Sequence, residues 1–196
     1  MRQHYTRRMG RWEPGAGGRL REAALALYLE RGFDQTMVAD IADRAGVTAR
    51  TFFRYFADKR EVLFDKAAEM AEKSLAALEA APASASTLEV VAAALDAVAD
   101  MIGPDRELAR KRHAVIMANA DLRERELIKL AQMSAALADG LRRRGVGDTE
   151  AGLAAETGSA VYRVAFQRWV DAADDLDLRD AIRQSFAQLR TLTASN

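Results

Sequence analysis

The chain has 196 residues, 49% of them hydrophobic, with three prolines, no cysteine, two histidines and equal numbers of acidic and basic side chains. That is enough apolar material for one compact unit or two small ones. The lack of cysteine excludes disulfides and thiolate chemistry, as suits a cytoplasmic protein.

Ala, Leu, Glu and Arg dominate, and no long alternating β-branched run occurs, so the chain reads as all-α with about nine helices. The longest apolar stretch, Ala23 to Leu29, is far short of the roughly 20 residues a membrane span needs, and no apolar segment follows Arg7 and Arg8 to make an export signal. With only His4 and His113 available there is no Cys/His pair, zinc signature, glycine-rich phosphate loop or Gly-x-Ser-x-Gly elbow. No enzyme, metal or cofactor is expected. The neutral total conceals an asymmetry: residues 1–60 carry 12 Lys/Arg against 7 Asp/Glu, and residues 61–196 carry 17 against 22. A basic amino-terminal part is suited to phosphates, and an acidic remainder is held off them.

In chain order, residues 1–17 are polar, hold Arg2, Arg7, Arg8 and Arg11, and end in Glu13-Pro14-Gly15-Ala16-Gly17, which reads as a flexible basic arm. Arg19 to Arg31 is a helix with Leu20, Ala24, Leu27 and Tyr28 on one face, closed by Gly32. Thr36 reads as the N-cap of a second helix whose apolar positions Val38, Ile41, Ala42 and Ala45 recur at three-and-four spacing. Gly46 stops it, Val47 fills the angle, and Thr48 starts a third helix. On that helix Phe52 and Phe56 share an inward face, leaving Ala49, Arg50, Thr51, Phe53 and Arg54 elsewhere. This is the layout of a helix-turn-helix, residues 18–60.

Arg50 and Thr51 are assigned to base edges, with Ala49 and Phe53 for thymine methyls, because guanidinium, hydroxyl and methyl groups match the major-groove pattern. Thr36, Thr48, Arg54, Tyr55 and Lys59 are assigned to the DNA backbone. Asp58-Lys59-Arg60-Glu61 reads as a capping box that starts one long helix to about Ala80.

Residues 61–196 form the remaining part. Ser86-Thr87-Leu88-Glu89 is another capping box, opening a helix to about Ile102. Gly103-Pro104 and Gly145-Val146-Gly147 are breaks, with helices near 105–118 and 121–144 between them, the latter started by Asp121 and Glu124. Two more follow, near 149–172 and 176–192. The Asp171, Asp174, Asp175, Asp177 group lacks the spacing of a calcium loop and reads as cap and linker. The run Arg106, Arg110, Lys111, Arg112, His113 has two readings, a solvated basic face or a receiver for an anionic headgroup. Met101, Met117, Met133, Tyr162, Phe166 and Trp169 are candidate lining for an effector pocket.

The motif Gly32, Phe33, Thr36, Ile41, Ala42, Ala45, Gly46, Val47, Thr48, Thr51, Phe52, Phe53, Tyr55, Phe56 and Lys59 resembles that of the TetR family of bacterial transcriptional regulators, over about residues 19–65. Phe53 stands where the family usually has Tyr, and Met37 where a second Thr is frequent. The resemblance implies a homodimeric repressor that binds a palindromic double-stranded DNA operator and is released by a small-molecule effector. It also implies a four-helix dimer interface from the last two helices, for which Ala154, Gly158, Ala165, Leu178, Ile182, Phe186 and Leu189 are the candidates. The alternative is a helical protein–protein adaptor that has kept the fold without DNA binding or ligand control.

Overall fold

The structure, a computed structural model, describes residues 15–194. Its α-helices, with no strand among the described residues, fall into two compact units, dividing between Leu63 and Phe64.

The first unit holds α1 (Ala16–Arg31), α2 (Val38–Arg44), α3 (Ala49–Tyr55) and a 3₁₀ turn at Glu61–Leu63. The stripe on α1 buries Leu20, Ala24, Leu27 and Tyr28 against Ile41 and Ala42 of α2 and Phe52 of α3, with Phe33, Phe56 and Val62 completing the core. The rings interlock, Tyr28 on Phe33 at 5.2 Å and Phe52 on Phe56 at 5.5 Å between centroids. Gly46 closes α2 with φ +67°, a conformation L side chains avoid. In that conformation its N–H reaches Asp43 O at 3.1 Å and the Val47 N–H reaches Ala42 O at 3.0 Å, the paired bonds that satisfy the carbonyls at a helix end. Thr48 then caps α3, its hydroxyl accepting from the Thr51 N–H at 3.2 Å.

Three local expectations are corrected. α1 starts at Ala16, so the last residues assigned to the arm are helical; the arm's Arg2, Arg7, Arg8 and Arg11 lie outside the described residues. Met37, not Thr36, is the N-cap of α2, where the Asp40 carboxylate accepts from the Met37 N–H at 2.9 Å. The long helix from Asp58 does not form. Asp58 does accept from the Arg60 and Glu61 N–H groups at 2.8 and 3.0 Å, but only a 3₁₀ turn follows, and the α-helix begins at Ala67. Val62, Leu63 and Phe64 are consecutive and all buried, and one face of an α-helix cannot bury three successive side chains.

The second unit contains α4 (Ala67–Ala80), α5 (Thr87–Ile102), a 3₁₀ turn at Gly103–Asp105, α6 (Arg106–Met117), α7 (Ala120–Arg143), α8 (Asp148–Asp171) and α9 (Leu178–Ala194). Ser86 with Glu89 caps α5 as the sequence indicates, and Asp105 caps α6. Asn119 rather than Asp121 caps α7, accepting from the Leu122 N–H at 3.2 Å, and Asp177 caps α9. α4 packs on α5 and α7, and α8 lies among α5, α7 and α9. The core runs through Leu78, Val91, Leu95, Leu137, Leu141, Ala155, Trp169, Leu178 and Ile182. Two glycines let helices approach: a Cβ on Gly140 would meet Leu75 and Leu78 at 3.2 Å, and one on Gly158 would meet Val91 Cγ1 at 2.5 Å. No helix among the described residues is long and apolar enough to cross a membrane.

Candidate nucleic-acid interface

α3 presents two faces set by helical spacing. Phe52 and, just past the helix, Phe56 anchor it from below, while Ala49, Arg50, Phe53, Arg54 and Tyr55 are exposed, Phe53 by 58%. Thr51 is half-buried, its hydroxyl 3.1 Å from that of Thr48. The ring of Tyr55 rests against the Gly17 backbone, where an added Cβ would stand 3.3 Å from it, and the Arg54 guanidinium lies 5.2 Å from its centroid. The helix is therefore held from beneath while its charged edge is left open.

The distribution of ion pairs decides which cations are available. Arg44 clasps Glu30 with two bonds of 2.5 and 2.6 Å, Arg31 pairs with Asp40, and Arg60 pairs with Asp58 at 2.7 Å. The Asp58 carboxyl is held below its usual range: partial burial opposes this, but the Arg60 side chain and the Glu61 and Arg60 N–H groups outweigh it. Arg50 and Arg54 have no carboxylate partner among the described residues.

Two residues assigned to the DNA backbone face the other way. Thr36 is fully buried and its hydroxyl donates to Gly32 O at 2.8 Å, so it has no group left for a phosphate. The Lys59 ammonium donates to Phe33 O at 2.9 Å and Thr36 O at 3.0 Å, with Asp34 O at 3.4 Å, and sits 4.3 Å above the Phe33 ring. It fastens the turn between α1 and α2. The Lys59 carbonyl in turn accepts from the Tyr28 hydroxyl at 2.6 Å, whose ionisation burial, aided by Asp58, pushes well above its usual range. Sequence reasoning also missed Arg19, whose Nε donates to Ala45 O at 3.1 Å and so caps α2 from α1.

In the second unit, Tyr162, Phe166 and Trp169 form a ladder along α8 with ring centroids 5.7 Å apart. Trp169 is wholly buried in the core, Met101 and Met133 are half-buried, and Met117 is exposed at the end of α6. Met133 and Tyr162 pack on the same core as Phe166 and Trp169, and a shallow recess of about 220 Å³ lies among Ala99, Asp100, Gly103, Pro104, Asp177 and Arg179. The basic run on α6 is largely engaged: Arg106 donates to Asp174 O at 2.6 Å and also to Ala172 O, Arg110 donates to Val170 O at 2.8 Å, and Lys111 pairs with Glu107 at 3.4 Å. Arg106 and Arg110 cap the carboxyl end of α8.

The dimer candidates lie mostly within the protomer's own core. Ala154, Gly158, Ala165, Leu178, Ile182 and Phe186 are buried within the protomer, and Leu189 packs against that core. Gly158 of α8 faces Val91 of α5 in the same chain. The opposite face of α8 is open, with Leu153 66% and Val164 54% exposed, and half-buried Thr157 and exposed Ala160 between them.

Two family models match this chain: that of bacterial regulatory proteins of the tetR family over residues 20–65, and that of the MftR C-terminal domain over 85–194, the second alone covering more than half of the chain. The chain belongs to the TetR family. Among curated TetR-family relatives it is 40% identical over 102 residues to the HTH-type transcriptional regulator TcmR of Streptomyces glaucescens, a match covering 52% of this chain and 45% of that protein. The matched stretch thus spans less than half of that relative. Among solved structures, the regulator FadR from Bacillus subtilis in complex with stearoyl-CoA superposes with a TM-score of 0.62 at 22% identity, covering 91% of this chain and 98% of that one. The fatty acid degradation regulator FadR from Bacillus halodurans does so with 0.61 at 18%, covering 90% and 95%. At these identities the likeness concerns the TetR fold alone.

Proposed function

We propose that the protein is a homodimeric transcriptional repressor of the bacterial cytoplasm that binds a palindromic operator and is released by a small-molecule effector. In this reading residues 18–60 bind DNA, and residues 61–196 dimerise and take the effector. The observation that carries it is the open edge of α3, where Arg50 and Arg54 lack carboxylate partners among the described residues while Arg31, Arg44 and Arg60 have theirs. Arg50 and Thr51 read base edges, Ala49 and Phe53 meet thymine methyls, and Thr48, Arg54 and Tyr55 hold phosphates.

A helix as short as Ala49–Tyr55 reads few base pairs, so a twofold pair is needed to read a palindrome. The open stripe Leu153, Thr157, Ala160, Val164 of α8, beside the exposed Gln184, Ala187 and Thr191 of α9, is the face we assign to a second copy. The stearoyl-CoA bound to the Bacillus subtilis neighbour supports a ligand-responsive second domain. An effector that relieves repression must favour the DNA-incompetent state, and a coupling of about 1–3 kcal/mol changes operator affinity by about 5–150-fold.

The test is fluorescence anisotropy of a labelled duplex titrated at several salt concentrations with wild-type protein and an Arg50→Ala/Arg54→Ala double variant. Salt-sensitive binding that the double variant loses is expected. Binding indifferent to salt, or undiminished in the variant, would favour the adaptor alternative or another surface.

A further inference from the structure

Once Arg106, Arg110 and Lys111 are accounted for, His113 stands out from the α6 run. Its tautomer follows from a chain of three side chains. The Gln167 amide nitrogen donates to Asp171 Oδ2 at 2.7 Å, which orients the amide and turns its carbonyl oxygen to His113 Nε2 at 3.0 Å. A carbonyl oxygen only accepts, so Nε2 carries the hydrogen and Nδ1 of the neutral ring is a bare lone pair. That Nδ1 is buried and has no partner among the described residues. Leaving such an acceptor unmet is costly, and a group that donates to it recovers the loss.

The surroundings define what could donate. The His113 ring stands edge-on to Phe166 at 5.5 Å, and Phe166 lies 5.7 Å from Tyr162. Next to these, Arg112 stacks over Phe64 at 5.1 Å and lies 3.5 Å from Glu126, the two side chains 31% and 21% exposed. Burial pushes the Tyr162 phenol up to about 12, with Arg112 opposing and Glu126 adding, so the hydroxyl stays protonated. An unmet acceptor beside aromatic rings, with a partly exposed cation–carboxylate pair near Tyr162, suits a flat molecule bearing a hydroxyl.

We propose that the effector is a hydroxylated aromatic compound whose phenolic O–H donates to His113 Nδ1 while its ring packs on Phe166. This rests on the ligand-responsive reading above. Gln167 acts as a positioning residue, fixing the tautomer that makes Nδ1 an acceptor.

The experiment compares 2-naphthol with 2-methoxynaphthalene by isothermal titration calorimetry on full-length protein, because the methyl ether keeps the ring and loses the donor. Wild type should prefer the naphthol by about tenfold, the value of one satisfied buried hydrogen bond. His113→Phe, which keeps an aromatic ring beside Phe166, should abolish the preference. Gln167→Leu, at an exposed position, should narrow it without altering the circular dichroism spectrum. Only two histidines occur in the chain, so ¹⁵N imidazole spectra should show a protonated Nε2 and a bare Nδ1 whose resonance moves when 2-naphthol is added. Equal affinity for the pair, no binding of either, or a preference surviving in His113→Phe would overturn the proposal. Operator release by stearoyl-CoA without naphthol binding would refute the phenol assignment and leave ligand control standing. Naphthol preference that depends on His113 but never changes operator affinity would support the site and refute ligand control.

Discussion

Replacing Lys59 by Met separates two roles that the sequence alone runs together. Met keeps an unbranched apolar stem, so packing against Phe33 persists while the charge and its donors vanish. The structure then predicts loss of the bonds to Phe33 O and Thr36 O, at 2.9 and 3.0 Å, and of the cation 4.3 Å above the Phe33 ring. Hydrogen bonds to a charged group contribute about 1.5–3 kcal/mol each, and an exposed cation–π contact adds about 0.5–1 kcal/mol. These terms sum to about 3.5–7 kcal/mol, and because water reaches part of this turn and replaces some of the donors, we discount the sum to about 2–4 kcal/mol. For a chain of this size that corresponds to a fall in Tm of roughly 5–15 °C, read by far-UV circular dichroism. The slope of log K against log salt for DNA should hardly change. A phosphate-contacting lysine would behave oppositely, leaving Tm in place and reducing the slope by about 0.9 per protomer. That second pattern would refute the inward placement of Lys59.

Other substitutions test other parts of the structure. Gly158→Ala places a methyl group 2.5 Å from Val91 Cγ1, and overpacking of this kind costs about 1–3 kcal/mol in urea denaturation; Val91→Ala in the same chain should recover part of it. Val164→Asp, on the open face of α8, should split the dimer in sedimentation experiments with little loss of helix, whereas Phe186→Ala should cost about 3–5 kcal/mol of stability. A dimer unaffected by Val164→Asp would remove that face from the account. Asp58 has its folded pKa lowered, so its stabilisation is present above the usual carboxylate value of about 4 and lost as pH falls through and below it. Asp58→Asn should therefore flatten the acid limb of stability between about pH 5 and pH 2; an unchanged limb would contradict the turn described at Asp58.

Features settled within a few residues were legible in the chain. The Gly46 stop, the Thr48 cap, the Ser86–Glu89 box and the division of α3 into Phe52 and Phe56 below and Phe53 above all follow from local spacing and backbone chemistry. What stayed hidden depends on partners distant in sequence. A threonine before a helix looks like a cap until the fold shows its hydroxyl turned back to Gly32 O, and a lysine after a recognition helix looks like a phosphate contact until three carbonyls of a distant turn surround it. The small residues of α8 indicate close helix approach but not to which helix, and the approach is to Val91 of α5 in the same chain. The tautomer of His113 needed Gln167 and Asp171, more than 50 residues away along the chain.

The central claim is that two copies of the open α3 edge, with Arg50 on each, read one duplex together. Selection of bound duplexes from a random pool by the full-length protein, followed by sequencing, tests it most directly. The account predicts an inverted repeat whose half-sites are set about one helical turn apart or a multiple of it, and that Arg50→Ala relaxes the preference at one base pair in each half, costing about 1–3 kcal/mol. Recovery of no motif, or of a lone half-site unchanged by Arg50→Ala, would contradict it.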